Sequence, residues 1–214
     1  LKADIPYGVP PYAKQRLDNM FLETNDARVL GGFISNNQIQ FVTNTSVPSN
    51  GFSGIYHGVL TNMLSTPIIK GYIIGDIVYE FGYPNISSTS KKEGDNQAII
   101  TFDHTSRKYY PGTSAIFYDG NSSNPYSKII ILKKGLTFIN ILQGPNQRWG
   151  DYSGSQRKYN EPGKVWSSGT FGTQQKDGIN YNKVNGTWIT ELNSNYNLNV
   201  NNVTVAIEGF GNVG

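Results

Sequence analysis

The densest mixture of functional side chains in this sequence lies in the segment 147–154, which reads Gln-Arg-Trp-Gly-Asp-Tyr-Ser-Gly. An arginine supplies paired hydrogen-bond donors, and aromatic faces stack on the apolar surfaces of sugars. The segment therefore predicts a polar and aromatic platform for a sugar or a peptide. The predicted binding residues are Arg148, Trp149, Asp151, Tyr152 and Trp166. A structural role is the alternative, in which Asp151 accepts hydrogen bonds from turn amides, Arg148 pairs with a carboxylate, and the aromatic rings pack between structural units.

Other chemistry has weaker support in the sequence. Glycoside hydrolysis needs a pair of carboxylates, and no spacing singles out a pair among Asp103, Asp119, Asp151, Glu161, Glu191 and Glu208. His57 and His104 are the only histidines, and neither has metal-ligand spacing. Asp103 and His104, followed by Thr105 and Ser106, are interpreted as a strand that ends in a turn. The sequence therefore predicts no catalytic residue, no metal site and no cofactor.

Composition favours strands over helices. The 214 residues include 24 Gly, 14 Tyr and 10 Phe, and only 15% are charged, which favours strands joined by polar turns. Cysteine is absent, which excludes disulfides and thiolate metal sites. The net charge of +3 comes from scattered basic pairs such as Arg107-Lys108 and Lys133-Lys134, interpreted as solvated strand ends, so no nucleic-acid partner is predicted. No apolar run is long enough to predict a membrane span.

Strand patterns flanked by Gly, Asn, Pro or Ser occur in three groups along the chain. They cover residues 27–35, 38–45, 54–62 and 67–75; then 97–103, 113–119, 127–133 and 136–143; then 164–171, 187–192 and 203–208. Asn36-Asn37 and Lys134-Gly135 predict two-residue hairpin turns. Residues 12–23 are compatible with a short helix or a strand.

The opening strands near residues 28, 97 and 165 lie 69 and 68 residues apart, which indicates an internal repeat. Four-stranded antiparallel units at a steady interval are typical of β-propeller blades. The predicted fold is all-β, with about three blades in the approximate units 25–80, 95–145 and 148–210. Residues 1–214 are then a single domain or part of a larger propeller; a β-sandwich or jelly roll is the alternative.

A family resemblance rests on four stretches: Asn25-Asp-Ala-Arg-Val-Leu-Gly-Gly-Phe33, Asn37-Gln-Ile-Gln-Phe-Val42, Arg148-Trp-Gly-Asp-Tyr-Ser-Gly154 and Val165-Trp166. Together they resemble secreted sialidase-like, BNR-type propellers of Bacteroidota, which have six or seven blades. The resemblance spans roughly residues 25–172. It implies that the chain holds the C-terminal blades of a longer propeller, and that the remaining blades are a partner.

The same resemblance implies export by the type IX secretion system, and hence an extracellular or outer-surface location. Outer-membrane components of that system and surface glycans are the further partners it implies. No arginine lies in a recognisable sialidase motif, and Asn185-Gly-Thr-Trp188 matches only part of the Ser-x-Asp-x-Gly-x-x-Trp repeat of that family. We therefore expect a non-enzymatic module for protein interaction, adhesion or glycan binding. A carbohydrate-active hydrolase with catalytic residues partly in other blades is the alternative.

Overall fold

The computed structural model describes residues 10–194 and 209–210. Every regular element in that part of the chain is a β-strand, so the predicted all-β class is confirmed. The segment 12–23 contributes two short strands, β1 (Ala13–Lys14) and β2 (Phe21–Leu22), which pair antiparallel. Within the described residues, no helix is long and apolar enough to span a membrane.

The first four-stranded sheet follows the sequence pattern closely. It contains β3 (Val29–Ser35), β4 (Gln38–Ser46), β5 (Ser53–Thr61) and β6 (Ile68–Ile74), paired antiparallel in chain order. The predicted turn between β3 and β4 is confirmed, because Asn36 and Asn37 have φ angles of 51° and 57°. Asparagine tolerates this left-handed region better than most residues, which is why the pair closes a tight hairpin.

The second sheet contains a strand that the pattern did not predict. Its members are β7 (Glu80–Ser88), β8 (Gln97–Thr105), β9 (Gly112–Asp119) and β10 (Ile130–Lys133), again antiparallel. β7 is interrupted by a register shift between Gly82 and Asn85, and Tyr83 within it has a φ of 51°. A bulge of this kind, with Pro84 inside it, breaks the two-residue alternation by which a strand is recognised.

The predicted strand 136–143 is wrong, and with it the hairpin at Lys134-Gly135. Amides of this segment bond one by one to acceptors in several parts of the chain, and the segment is not a strand. Leu136 N donates to Gly172 O (2.8 Å), Ile139 N to the side chain of Gln15 (2.7 Å), and Ile141 N to the side chain of Gln147 (2.7 Å). Its apolar residues resemble a strand in sequence, but these individual bonds satisfy its backbone.

The third sheet is built around a long hairpin. After β11 (Asn146–Gln147), which pairs parallel with β2, come β12 (Gly154–Arg157), β13 (Lys164–Asp177), β14 (Asn180–Asn193) and β15 (Gly209–Phe210). β13 and β14 pair along their full length and extend well beyond the predicted 164–171 and 187–192. The far end of the hairpin, residues 174–182, is exposed throughout, so it lacks the alternation that marks a half-buried strand. The predicted strand 203–208 lies outside the described residues.

The three four-stranded sheets begin at Val29, Glu80 and Gly154, which are 51 and 74 residues apart. The predicted period of 68 to 69 residues is wrong, because it compared the first strand of one sheet with the second strands of the others. In described strands the sheets cover residues 29–74, 80–133 and 154–210.

The second sheet lies between the other two, and the first strands are neighbours. β7 lies against both β3 and β12, and β13 lies against β8 and β9. Because successive side chains of a strand point to opposite faces, Ile100 packs into the core with Val42 and Phe81, whereas Ile99 packs with Val165. Burial of side chains this large stabilises the fold by about 1.5–3 kcal/mol each, and β8 receives that contribution on both faces.

Candidate functional site

Trp149 of the predicted platform belongs to the core. Its side chain is 1% exposed and packs with Leu22 and Ile139. The indole Nε1 donates a hydrogen bond to the carbonyl oxygen of Glu23 at 2.6 Å, and the ring meets Tyr83 edge to face. An indole in this position holds the N-terminal segment against the core and offers no face to a ligand.

Arg148, Asp151 and Tyr152 lie at the surface of the same loop. The Arg148 guanidinium bonds to Asp151 Oδ2 at 3.1 Å, and this bond raises the pKa of the arginine. Exposed ion pairs contribute little to stability, at most about 1 kcal/mol. Tyr152 is 81% exposed. These three side chains are accessible and lie beside a buried tryptophan.

Trp166 lies apart from this loop, in β13. Its backbone pairs with Gln156 and Glu191, and its half-buried ring faces the ammonium of Lys158 at 5.5 Å. Lys158 also bridges to Glu191, so the ring forms part of a charged cluster on the third sheet. The structure thus divides the predicted platform into a core residue, an exposed ion pair with a tyrosine, and a ring in a separate cluster.

Beneath the loop lies a buried carboxyl group, Asp103. Ser153 Oγ donates to its Oδ2 at 2.7 Å, and the Thr170 amide donates to its Oδ1 at 2.8 Å. Burial raises the pKa of Asp103 to about 8, although the donors Ser153, Thr170 and Thr113 act in the opposite direction. The carboxyl group therefore joins β8, the 148–154 loop and β13. The predicted strand 97–103 extends two residues further, so Asp103 and His104 lie inside β8 and the turn that was expected here follows Thr105.

Gly150 allows the loop to approach this carboxyl group. Its φ is +67°, a conformation that L side chains rarely adopt. A Cβ at this position would overlap the ring of Tyr83 and lie 2.7 Å from Asp103 Oδ2. Trp149 and Gly150 of the segment are thus explained by packing, with Tyr83 of the second sheet in contact with both positions.

A cavity lined by aromatic side chains lies elsewhere, at one end of the second sheet. We call it the tyrosine pocket, and its volume is about 360 Å³. Its polar and aromatic lining comes from four separate parts of the chain: Arg16, Tyr79, His104, Tyr109, Tyr110 and Lys134. Ile131 and Gly135 complete the wall. This volume falls within the range of about 300–1,000 Å³ that is usual for small-molecule sites.

The rings of the tyrosine pocket are ordered by contact with one another. Tyr79 and Tyr109 stack with centroids 5.0 Å apart and an interplanar angle of 28°. The guanidinium of Arg16 lies 4.9 Å from the centre of the Tyr110 ring, and His104 meets Tyr79 edge to face at 5.1 Å. Tyr109 is 48% exposed, so part of its ring is open to solvent. Cation–π and stacking contacts hold these groups in place.

His104 supplies a neutral hydrogen-bonding group to the tyrosine pocket. It belongs to β8, and its Nδ1 is 2.7 Å from Ser114 Oγ. Burial lowers the pKa of His104 to about 4, so the imidazole is neutral at neutral pH. His104 is only 2% exposed, and with Nδ1 engaged its other ring nitrogen, Nε2, is a donor or acceptor according to the tautomer. Burial and the neighbours Tyr109 and Asp76 raise the pKa of Tyr79, which keeps its hydroxyl protonated.

The tyrosine pocket combines features that suit a sugar. It has three phenol rings, one neutral imidazole and two cations, and its lining contains no carboxylate. Rings can stack on the apolar face of a sugar, while phenol, imidazole and guanidinium groups bond to its oxygens. A lining without a carboxylate lacks the acid and base that glycoside hydrolysis uses.

A second cavity, of about 280 Å³, lies beside the tyrosine pocket. Residues that are close in sequence line different cavities. Gln15 and Arg107 line the second cavity, whereas Arg16 and Tyr109 line the tyrosine pocket. Lys14 and Arg107 are its cations, and Asp18 is its carboxylate. Two short stretches of chain therefore separate the cavities.

The other histidine, His57, is a core residue. Its Nδ1 lies 2.8 Å from Tyr126 Oη and its Nε2 lies 3.1 Å from Gln40 Oε1. Burial lowers the pKa of His57 to about 3. A neutral histidine whose two ring nitrogens are both engaged serves the packing between the first two sheets.

One local feature of the sequence, at residues 107–110, indicated the tyrosine pocket but was interpreted as a solvated strand end. Arg107-Lys108 is followed directly by Tyr109-Tyr110, so basic and aromatic residues are adjacent there. The interpretation as a solvated strand end omitted the two tyrosines. Tyr79, Arg16 and Lys134 come from distant segments, and only the arrangement of the strands brings them to this place.

Within the described ranges, no group of three or more His, Asp or Glu residues is placed to hold a metal ion. The chain matches no protein-family model, no curated protein and no solved structure.

Proposed function

We propose that this protein is a non-enzymatic binding module, secreted or displayed at the cell surface, that holds a carbohydrate in the tyrosine pocket. The observation that carries the proposal is the pocket lining: Tyr79 and Tyr109 are stacked, and His104 and Arg16 line the same cavity. Preordered rings lose little conformational entropy when a ligand binds, which favours recognition by stacking. Adhesion and protein interaction through attached glycans are compatible with such a site.

A propeller is the architecture that we propose for the module. The support is the arrangement of β3, β7 and β12, the first strands of three successive antiparallel sheets, which are neighbours while the sheets pack face to face. Successive blades around an axis have this relationship. Closed propellers have about four to eight blades, so further blades are the partner that we propose. A monomeric particle of 23.7 kDa that unfolds cooperatively would count against this partial propeller.

Export by a type IX system and a surface location rest on the resemblance to sialidase-like propellers. Fractionation of the native host tests both. The proposal expects the protein in the medium or in the outer membrane, and recovery from the cytoplasm alone would oppose it.

Binding to immobilised and soluble glycans tests the carbohydrate proposal. Tyr109→Ala should weaken binding of any retained glycan about 10-fold, which corresponds to about 1.4 kcal/mol. Tyr152→Ala is the matched control, because Tyr152 is exposed and belongs to the 148–154 loop. The control should bind like the unaltered protein.

Two results would oppose this proposal. If Tyr152→Ala lost glycan binding while Tyr109→Ala kept it, the binding site would lie in the 148–154 loop and not in the tyrosine pocket. Release of sugar from a bound glycan, at a rate that depends on this chain, would favour the hydrolase alternative.

A further inference from the structure

We infer that β6, the outer strand of the first sheet, pairs edge to edge with β6 of a second copy of this chain, so that two four-stranded sheets become one eight-stranded sheet. None of the residues of β6 lines the tyrosine pocket, so this contact is additional to the proposed function. Three features of β6 support it: its free edge, its composition, and its match to itself in antiparallel orientation.

The edge of β6 is open and regular. β6 is the last strand of its sheet in the order β3-β4-β5-β6, and β5 is its only strand neighbour among the described residues. It pairs with β5 over seven successive residues without a register shift. The outward-pointing amide and carbonyl groups of an edge strand have no strand partner, so they can pair with another chain. β6 and β3 are opposite edges of the sheet, so this pairing leaves the contact between β3 and β7 unchanged.

The outer strand of the second sheet, β10, is protected against such pairing. β10 has four residues, and its pairing with β9 shifts register between Ile131 and Lys133. Lys128, Lys133 and Lys134 lie in it or beside it. Short length, a bulge and lysines are features by which proteins block edge-to-edge association.

β6 lacks these protections. Its seven residues read Ile-Ile-Lys-Gly-Tyr-Ile-Ile, with one lysine and no proline. Isoleucine and tyrosine are among the residues that favour strands. The composition of β6 therefore favours pairing with another strand at this edge.

The strand is self-complementary about Gly71, its middle residue. An antiparallel pair with a two-fold axis at Gly71 gives all seven residues a partner: Ile68 lies opposite Ile74, Ile69 opposite Ile73, and Lys70 opposite Tyr72 of the second copy. The two Lys70 side chains are then not directly opposite each other. A register centred on Lys70 would place them opposite, and like charges in that position are destabilising.

The junction between the two copies is apolar on both faces. Tyr72 and Ile74 pack toward the core between the first and second sheets, whereas Ile69 and Ile73 lie on the opposite face and are half-buried. Ile68 is 47% exposed, so a partner strand would remove apolar surface from water there. A second copy supplies matching isoleucines on both faces, which favours it over an extended segment of unrelated sequence.

Sedimentation equilibrium tests this contact. Seven residues per copy make a contact smaller than a standard protein interface, so we expect a reversible dimer of twice 23.7 kDa with a dissociation constant of ~10 μM. Ile68→Lys should weaken dimerisation at least 10-fold, because the symmetric contact contains the added charge twice. Ile179→Lys is the control. It is the same substitution at a residue that is 94% exposed at the tip of the β13–β14 hairpin, and it should leave the dimer unchanged.

Disulfide crosslinking tests the register and does not depend on the Ile68 variant. The chain contains no cysteine, so introduced cysteines report only the contact under test. Ile69→Cys and Ile73→Cys, mixed and oxidised, should form a disulfide between unlike chains, because opposite Cα atoms about 4.5–5.5 Å apart suit a disulfide. Either variant alone should not crosslink, since like positions are four residues apart along the paired strands, or roughly 13 Å.

Three results would overturn the inference. The first is a protein that stays monomeric up to ~500 μM, which would leave the edge to an extended segment of a different chain. The second is a dimer that Ile68→Lys leaves intact. The third is a disulfide that forms as readily in either cysteine variant alone as in the mixture, because the strands would then pair in another register. Sugar binding in the tyrosine pocket is measured separately, so each of these results leaves the proposed function standing.

Discussion

Ionisation of Asp103 should make the protein less stable as the pH rises above neutrality. The side chain is fully buried, and burial raises its pKa from 3.8 to about 8. Because the folded state then holds a proton that the unfolded state has released, unfolding becomes more favourable as the pH rises through this range. The stabilising contribution of the protonated carboxyl group is complete below about pH 4 and is lost as the pH passes 8.

The size of the effect follows from the raised pKa. Between pH 7 and pH 9, a folded pKa near 8 corresponds to a loss of about 1.4 kcal/mol in the free energy of unfolding. With a urea dependence of ~2 kcal/mol per M, the unfolding midpoint falls by about 0.7 M. Asp103→Asn keeps the shape of the side chain without a titrating proton, so its midpoint should not show this fall.

His57 and His104 act in the opposite sense. Burial lowers the pKa of His57 to about 3 and that of His104 to about 4, from 6.5 in both cases. Their stabilising effect is lost as the pH falls from 6.5 toward these values. They titrate alike in Asp103→Asn and in the unaltered protein, so the difference between the two proteins isolates Asp103.

Tryptophan fluorescence during urea unfolding, to which the buried Trp149 contributes, is the assay. Asp151→Asn is the control, because Asp151 lies in the exposed ion pair with Arg148. The control should reproduce the fall between pH 7 and pH 9. A flat or rising midpoint in the unaltered protein, or the same fall in Asp103→Asn, would refute the reasoning.

Two further substitutions test the structural role of the 148–154 loop. Gly150→Ala should lower the free energy of unfolding, measured in urea, by about 2–3 kcal/mol. The reason is that the alanine Cβ would overlap the Tyr83 ring, at a position with a positive φ. Gly178→Ala, also at positive φ but with no atom within 4 Å of the new Cβ, should cost only ~1 kcal/mol. Trp149→Phe should cost about 1–3 kcal/mol through the lost bond to Glu23 and the smaller ring. Equal costs for the two glycines, or a neutral Trp149→Phe, would contradict the packing described.

Much of the fold was predictable from local pattern, and the exceptions have physical causes. The first sheet and the Asn36-Asn37 turn followed from alternation and from residues that accept positive φ. β7 was missed because its bulge breaks the alternation. Residues 136–143 were wrongly assigned because apolar residues alone do not show whether the backbone bonds to a strand or to side chains.

The candidate site was less predictable, because it depends on contacts between distant segments. The sequence marked Arg148–Gly154 as unusual, and packing accounts for the conspicuous residues Trp149 and Gly150. The tyrosine pocket forms only when Tyr79 and Arg16 are brought to the Tyr109 loop. The spacing of residues along the sequence does not show which distant segments lie together in the folded protein.

The most direct measurement is a crystal structure of the protein with an oligosaccharide that it binds in solution. The account predicts a sugar ring against Tyr109 in the tyrosine pocket, within hydrogen-bond distance of His104 Nε2 or the Arg16 guanidinium. A sugar bound at Arg148, Asp151 and Tyr152 with the tyrosine pocket unfilled would contradict it.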